Sequence, residues 1–187
     1  MKMKATAYSI YYSLTAQDDP LNSDVVPLAN LITEALGGKS VLLEEFGYAS
    51  SEKGDESKHI TIERAGKLHW QYVASDADGG RYYREVLTKL ARCGSLGAFG
   101  WMFSDYDPSL WEKLPFKLNV HERFFGLTRY NGTVKPSGEA MREFAHLVEA
   151  GELPQRSISP LQLGSDKWYR DPEGNFDQLF QQWRGRI

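Results

Sequence analysis

The chain has 187 residues, of which 41% are hydrophobic and 13% aromatic, and its 22 basic and 25 acidic residues give a net charge of −3. This length allows one buried core, in one domain or part of a domain. No basic stretch points to nucleic acid as a partner, no apolar run approaches the roughly 20 residues of a membrane span, and Cys93 as the only cysteine excludes an intrachain disulfide.

The first quarter of the sequence predicts a strand, a helix and a second strand. Residues 5–13 are rich in aromatic and small residues and favour a strand. The helix that follows is capped by Ser23 or Asp24 and ends at Gly37-Gly38. Its apolar side chains fall on one helical stripe: Val25, Leu28, Leu31, Ile32, Ala35 and Leu36. The run VLLEEFG at 41–47 is typical of a buried parallel strand.

A polar connection then leads to a second helix. Within residues 48–80, the segments HITIE and KLHWQYV flank Ala65-Gly66 and predict a hairpin. The second helix covers about 80–93 and ends at Gly94. Its buried stripe consists of Tyr82, Tyr83, Val86, Leu87 and Leu90.

The last part of the sequence predicts one more strand and helix before a tail. SLGAFGWMFS at 95–104 favours a strand, and an aromatic loop follows it to about Thr133. The third helix begins after Pro136, ends at Gly151, and turns a set of side chains inward: Ala140, Met141, Phe144, Ala145 and Val148. We expect 1–151 to form one domain and 152–187 an extension that packs on it, with a short helix at 175–184.

The order β-α-β-α-β-α indicates an α/β fold in which helices cover a parallel sheet. A complete (β/α)8 barrel needs about 250 residues, and three strands are too few to close one. An open three-stranded sheet leaves its edges uncovered. We therefore expect an incomplete structure that pairs with a partner chain, self-associates or aggregates.

Two carboxylates end the middle strand. Glu44 and Glu45 lie at its carboxyl end, which is the catalytic end in a β/α barrel. Successive strand residues point to opposite sides, so one carboxylate can point into the barrel mouth. A carboxylate there can attack an anomeric carbon and form a glycosyl-enzyme. The alternative is an acidic strand end without a chemical role.

The run VLLEEFG resembles the seventh-strand motif of the clan A retaining glycoside hydrolases, notably the cellulase and mannanase family 5. In that motif an aromatic residue and a glycine follow the nucleophilic glutamate, and here they are Phe46 and Gly47. The resemblance implies that Glu45, not Glu44, is the catalytic nucleophile. It also implies a hydrolase of oligo- or polysaccharides whose strands are numbers six to eight of a TIM (β/α)8 barrel.

Later segments extend the resemblance over nearly the whole chain. GAFGWMFSDYD at 97–107 is similar to the eighth strand, whose terminal tryptophan floors the sugar subsite beside the scissile bond. Trp101 or Phe103 occupies that zone, and we favour Trp101 because an indole face suits the C–H groups of a sugar. HERFFGLTRYNGTVKPSGEAMREF at 121–144 resembles the loop, turn and last helix of such barrels, and WYRDPEGNFDQLFQQW resembles a short closing extension.

The chain also departs from the family. Family members often carry His-x-Tyr in the sixth strand, with the tyrosine hydroxyl near the nucleophile, whereas this chain has no histidine there and offers Tyr8 or Tyr11. The family's acid/base is the glutamate of an Asn-Glu pair in strand four, and this sequence contains no Asn-Glu. The resemblance implies that an N-terminal half-barrel, in another chain or lost, supplied it.

For each of six further residues, the sequence allows either a role in sugar binding or a structural role. Asp105 and Asp107 are candidates for sugar hydroxyls or for loop caps, and His121 and Glu122 for the cleft or for an ion pair. The remaining two candidates are Trp70 and Trp111, as sugar platforms or as local packing. No cluster has metal-ligand spacing and no phosphate loop is present, so neither a metal nor a cofactor is expected.

Two functions remain open. The first is a retaining β-glycoside hydrolase or its C-terminal part, acting on a glucan, mannan or galactoside. The second is a non-catalytic carbohydrate-binding or assembly module derived from a glycosidase. The segment from Met1 to Pro20 lacks the apolar stretch of a signal peptide, so the chain as written is predicted to be cytoplasmic, while a longer parent would leave its location unknown.

Overall fold

The computed structural model describes residues 3–6, 21–64 and 66–187. The chain divides into two compact units. Unit 1 comprises Met1–Phe46, Glu85–Phe99 and Leu147–Ile187, and unit 2 comprises Gly47–Arg84 and Gly100–His146.

The regular elements alternate along the chain much as the sequence predicts. The strands are β1 (Met3–Thr6), β2 (Val41–Phe46), β3 (Lys58–Arg64), β4 (Lys67–Val73) and β5 (Gly97–Gly100). The helices are α1 (Val25–Gly37), α2 (Asp76–Cys93), α3 (Pro136–Ala150), α4 (Ser165–Arg170) and α5 (Pro172–Trp183). Two 3-10 helices, Pro108–Leu110 and Val120–Phe124, lie in the long loop after β5. In the described residues no helix is both long and apolar enough to cross a membrane.

The main sheet has the order β1-β2-β5, which places β2 in its centre. β1 runs parallel to β2, with Met3 opposite Val41, and a bulge after Ala5 brings Thr6 opposite Glu45. Helix α1 packs on both of these strands. The predicted parallel α/β arrangement is confirmed, and among the described residues the sheet does not close into a barrel. Only 5–6 of the predicted first strand, 5–13, lie within β1, and the rest of it is outside the described residues.

The core of unit 1 joins α1 to the C-terminal tail. Asp24 occupies the N-cap position of α1, and Gly38 ends the helix with a left-handed φ of 59°. Of the predicted stripe of α1, the first four residues are buried, and Ala35 and Leu36 are partly buried. Their partners lie in α2 and the tail: Cys93, Ile158, Leu161, Phe176, Phe180 and Ile187. Val26 and Ala29 are buried as well, so the first turns of α1 are covered on more than one face.

Helix α2 begins four residues before its predicted start. The Ser75 hydroxyl accepts a hydrogen bond from the Asp78 backbone N–H at 3.1 Å, which caps the first turn. The predicted helix began at about Gly80, but Gly79 and the three residues before it are helical as well. A Cβ on Gly80 would lie 2.6 Å from the Pro136 Cβ, so this glycine permits close packing within unit 2. The predicted buried stripe of α2 is confirmed.

Two expectations for the later elements were wrong. β5 covers four residues instead of the predicted ten. On α3 only Ala140 is buried, whereas Ala145 and Val148 are exposed. Their apolar stripe was predicted to face a core, but none of the described residues covers that part of the helix.

The hairpin in the polar connection is confirmed. β3 and β4 are antiparallel, with Thr61 opposite Trp70, and Gly66 provides the left-handed φ of 73° at the turn. This hairpin belongs to unit 2.

Candidate functional site

Glu45 is the penultimate residue of β2, the central strand of the sheet in unit 1. It is half-buried, as is Glu44, between the buried side chains Leu43 and Phe46. Within the described part of the chain no hydrogen bond or ion pair engages the Glu45 carboxylate. A carboxylate that is partly shielded from water and has no cation beside it remains available as a nucleophile.

Gly47 explains the glycine of the Glu-Phe-Gly motif. A Cβ at this position would overlap the Trp101 carbonyl oxygen and would lie 2.6 Å from the Tyr83 hydroxyl. Only glycine lets the chain after β2 approach Trp101 this closely. Gly47 and Trp101 both belong to unit 2. Gly47, the last residue of the VLLEEFG motif, thus contacts Trp101 of the GAFGWMFSDYD motif within unit 2.

Trp101 stands at the end of β5, with 37% of its surface exposed, and the Trp101–Met102 peptide bond is cis. The segment after it pairs with the loop that follows His121. The Met102 N–H donates to the Phe125 carbonyl at 2.9 Å, and the Leu127 N–H donates to the Met102 carbonyl at 2.8 Å. Phe103 is 80% exposed. These backbone hydrogen bonds fix the segment that follows Trp101, while the Trp101 side chain remains accessible to solvent.

Asp105 is turned into the interior of unit 2. One of its oxygens accepts from the Lys135 ammonium at 2.6 Å and from the Gly126 N–H at 2.8 Å. The other oxygen lies 3.9 Å from the Arg129 guanidinium. Burial raises the pKa of Asp105 and lowers the pKa of Lys135, because both charged forms lose solvation. These contacts give Asp105 a structural role in unit 2, and sugar binding by Asp105 stays a prediction.

Lys135 is a residue whose role the sequence did not reveal. Its ammonium also donates to the Ser50 hydroxyl at 2.9 Å and to the Phe124 carbonyl at 3.1 Å. It thereby joins the chain after β2 to the segments after β5. The sequence indicated Lys135 only as the residue before the helix-starting Pro136, and no local pattern distinguishes a buried lysine from an exposed one.

Asp107 caps the first 3-10 helix. Its carboxylate accepts from the Ser109 N–H at 2.8 Å, and this hydrogen bonding lowers the pKa of Asp107. Of the two interpretations of this residue, the structure supports the loop cap.

His121 is buried, with 6% of its side chain exposed, and its Nε2 lies 3.4 Å from Glu122 Oε1. Its Nδ1 is buried without a hydrogen-bond partner among the described residues. A buried ring nitrogen without a partner is costly. The imidazole therefore has one nitrogen available to a group outside the described contacts, and sugar binding by His121 stays a prediction.

The two rim tryptophans differ. Trp111 donates its indole N–H to the Tyr106 carbonyl at 2.9 Å and packs edge-on against Phe124, with the Arg123 guanidinium 5.2 Å from its ring centroid. Trp70 is 78% exposed on β4. The packing interpretation thus fits Trp111 and does not fit Trp70.

Tyr8 and Tyr11 lie outside the described residues, so their predicted proximity to Glu45 stays a prediction. In the part of the chain that the structure describes, no cluster of three or more histidine, cysteine or acidic residues is arranged to hold a metal ion.

Comparison with known proteins finds likeness in structure only. No protein-family model matches the sequence, and no curated protein has a significantly similar sequence. A GH5_18 protein from Streptomyces cattleya in complex with Manβ1-4GlcNAc matches with a TM-score of 0.62 and 16% identity, over 94% of this chain. A GH5_18 protein from Bifidobacterium longum in complex with the same disaccharide matches with a TM-score of 0.55 and 19% identity, over 82% of this chain.

A third similar structure is an exo-beta-1,4-mannosidase from Opitutaceae bacterium strain TAV5, with a TM-score of 0.51 and 23% identity over 72% of this chain. The chain spans 40%, 31% and 20% of the lengths of these three proteins, respectively. Its fold therefore resembles part of the TIM-barrel fold of these GH5 structures.

Proposed function

We propose that the chain is the C-terminal part of a glycoside hydrolase that cleaves a β-linked saccharide with retention, and that Glu45 is its nucleophile. The observation that carries the proposal is the state of Glu45. It lies one residue before the end of the central strand, is half-buried, and has no hydrogen bond or ion pair in the described residues. The Phe46-Gly47 sequence that follows it leads directly to the contact with Trp101.

The chemistry assigned to Glu45 is direct attack on the anomeric carbon. The carboxylate oxygen forms a bond to that carbon while the bond to the leaving oxygen breaks, through an oxocarbenium-like transition state. A second carboxylic acid, about 5–5.5 Å away, protonates the leaving oxygen and then activates water. We assign this acid to a part of the barrel beyond this chain, because the chain spans only 31% and 20% of the lengths of two structural relatives and the sequence lacks the Asn-Glu pair.

Trp101 is proposed to form the floor of the sugar subsite. Its exposed indole follows β5 and can pack against the apolar face of a pyranose ring. We infer a β-mannoside as the substrate class, since two structural relatives are complexes with Manβ1-4GlcNAc and a third is a β-1,4-mannosidase.

Covalent trapping tests the nucleophile without the absent acid/base. A 2-deoxy-2-fluoro-β-mannoside with a dinitrophenolate leaving group needs no protonation of that group, so only the nucleophile is required. We expect intact-mass analysis of the purified chain to show one added fluorosugar, and peptide mapping to place it on Glu45.

The Glu45→Gln variant should take up no label, while the neighbouring Glu44→Gln variant should still be labelled. Circular dichroism should show that both variants fold. A label on Glu44 or on another carboxylate would refute the assignment, and so would a folded wild-type chain that remains unlabelled at saturating reagent.

A non-catalytic assembly module is the second candidate, and one observation favours it. Phe99 lies in β5, an edge strand of the sheet in unit 1, and Leu96 lies just before it; both side chains are exposed. Exposed apolar side chains next to an open strand edge suit association with another chain. The partner would be an N-terminal half-barrel or a second copy of this chain.

A further inference from the structure

The C-terminal tail contains a cavity that the proposed catalysis does not use. It has a volume of about 230 Å3 and lies between the segment before α4, helix α4 and helix α5. The side chains that face it include Gln162, Lys167, Trp168, Gln178, Leu179 and Gln182. All of them belong to unit 1. The cavity is smaller than the roughly 300–1,000 Å3 of drug-sized sites, which limits its occupant to a small molecule or one sugar residue.

One face of α5 builds a wall of this cavity. Asn175, Gln178, Leu179 and Gln182 are spaced at i, i+3, i+4 and i+7 and all line the cavity, as neighbours on one helical face do. Phe176 and Phe180 are buried in the core shared with α1. The apolar face thus anchors α5 to the core of unit 1. The face that lines the cavity carries amides, whereas solvated helix faces usually carry charged residues.

The cavity is held open by local hydrogen bonds. The Asn175 side-chain amide donates to the Asp171 carbonyl at 2.6 Å and to the Lys167 carbonyl at 3.2 Å. The Asp171 carboxylate accepts from the Gly174 N–H at 3.1 Å and caps α5. Trp168 packs against the core on one side and lines the cavity on the other. The backbone of the wall and the Asn175 and Trp168 side chains are therefore in place before a ligand binds.

The lining suits a neutral, hydroxyl-rich ligand, because four of its side chains are amides and only the exposed Lys167 is charged. The exposed glutamines offer both donors and acceptors, and Trp168 with Leu179 supplies an apolar surface. No carboxylate is among the lining residues, which all lie in the described part of the chain. Lys167 is the one cation there. Amides around an indole match the alternating hydroxyl and C–H surface of a pyranose ring.

We propose that this cavity is a binding site for one neutral sugar residue of a saccharide chain, a function of the tail in addition to the proposed hydrolysis. Only the choice of a β-mannoside as the probe rests on the proposed function. The site would retain a carbohydrate by a second point of attachment and so raise its local concentration.

Titration of the 15N-labelled full-length chain with β-1,4-mannobiose tests the proposal, followed through the glutamine side-chain amide resonances. The double variant Gln178→Ala/Gln182→Ala identifies the two key resonances by their loss, and it keeps the helix because alanine favours helices. We expect these resonances to shift in the wild type. The affinity measured at the tail, from backbone resonances of α4, should fall at least tenfold in the double variant.

Gln181→Ala is the matched control, because Gln181 is exposed on α5 but does not line the cavity. It should bind as the wild type does. Unmoved Gln178 and Gln182 resonances at high sugar concentration would overturn the proposal, as would equal weakening in Gln181→Ala or tighter binding of galacturonate than of mannobiose. The same shifts should appear in Glu45→Gln, so a failure of covalent labelling with intact shifts would count against the nucleophile alone.

Discussion

At the scale of single residues, the Asp105–Lys135 pair shows how unit 2 holds its loops. Both side chains are almost fully buried, and their charges meet in one ion pair with further hydrogen bonds to Ser50, Phe124 and Gly126. Burial shifts both pKa values toward the neutral forms. Such a pair adds little net free energy compared with apolar packing, but loss of one partner leaves a buried unpaired charge.

We predict that Lys135→Met lowers the free energy of unfolding by about 3–5 kcal/mol near neutral pH. Without the ammonium, the buried Asp105 carboxyl has a pKa further above its ordinary value, so the folded state binds a proton that the unfolded state has lost. Stability of the variant should therefore rise as the pH falls toward the ordinary aspartate pKa. Urea unfolding at several pH values measures this effect.

The double variant Asp105→Asn/Lys135→Met provides the control, because it carries no buried charge. It should lose less stability than Lys135→Met at neutral pH and should lack the rise on acidification. A Lys135→Met variant with wild-type stability, or one that is most stable at neutral pH, would contradict this role of the pair.

At the scale of elements, the C-terminal tail is tied to α1 by polar contacts around the shared core. The Arg156 guanidinium forms two hydrogen bonds to the Glu34 carboxylate, at 2.8 and 2.6 Å. The Gly185 N–H donates to the Asp24 carboxylate at 2.7 Å, and Asp24 also pairs with Lys89. Cys93 lies inside this core, and burial raises its pKa to about 12. The thiol is therefore protonated and inert while the tail is docked.

We predict that Arg156→Ala loosens the tail, because it removes a two-point contact worth about 1 kcal/mol at a partly exposed site. A loss of this size increases the open population about fivefold. The rate at which Cys93 reacts with a thiol reagent at pH 8 should rise by the same factor.

Arg170→Ala is the matched control for this experiment, since Arg170 is exposed on α4. It should leave the Cys93 reaction rate unchanged. Rapid Cys93 modification in the wild-type chain would show that the tail does not protect this core, and the account of the docked tail would then fail.

At the scale of the whole molecule, the described sheet has only three strands and an uncovered edge. Phe99 in β5 is 59% exposed, with Leu96 just before it. Free strand edges beside apolar side chains promote association. The open edge of the sheet in unit 1 is thus the feature from which the sequence analysis predicted that the chain associates.

We predict that the purified chain associates as its concentration rises, and that Phe99→Glu shifts it toward monomer. Sedimentation velocity over a hundredfold range of concentration measures both. Tyr169→Glu, a change at an exposed aromatic residue on α4, should behave as the wild type. A folded wild-type chain that remains monomeric at all concentrations would argue against an uncovered edge that needs a partner.

Local patterns in the sequence determined most of the elements. Helix periodicity located α1 and α2, glycines marked their ends, and the alternation around Ala65-Gly66 predicted the hairpin. The local pattern left Glu44 and Glu45 open, and the resemblance of VLLEEFG to the family motif singled out Glu45, whose catalytic role stays a prediction. The start of α2 was placed four residues late, and the Ser75 cap that precedes the true start is evident only in the structure.

Tertiary structure alone decided which side chains meet. Asp105 turns to Lys135, Trp111 packs inward while Trp70 is exposed, and Gly47 approaches Trp101. It also placed the stripe of α1 against the tail and left the stripe of α3 partly uncovered. The physical reason is that burial and charge pairing depend on residues far apart in the chain, whereas propensity, capping and periodicity depend on residues a few positions apart.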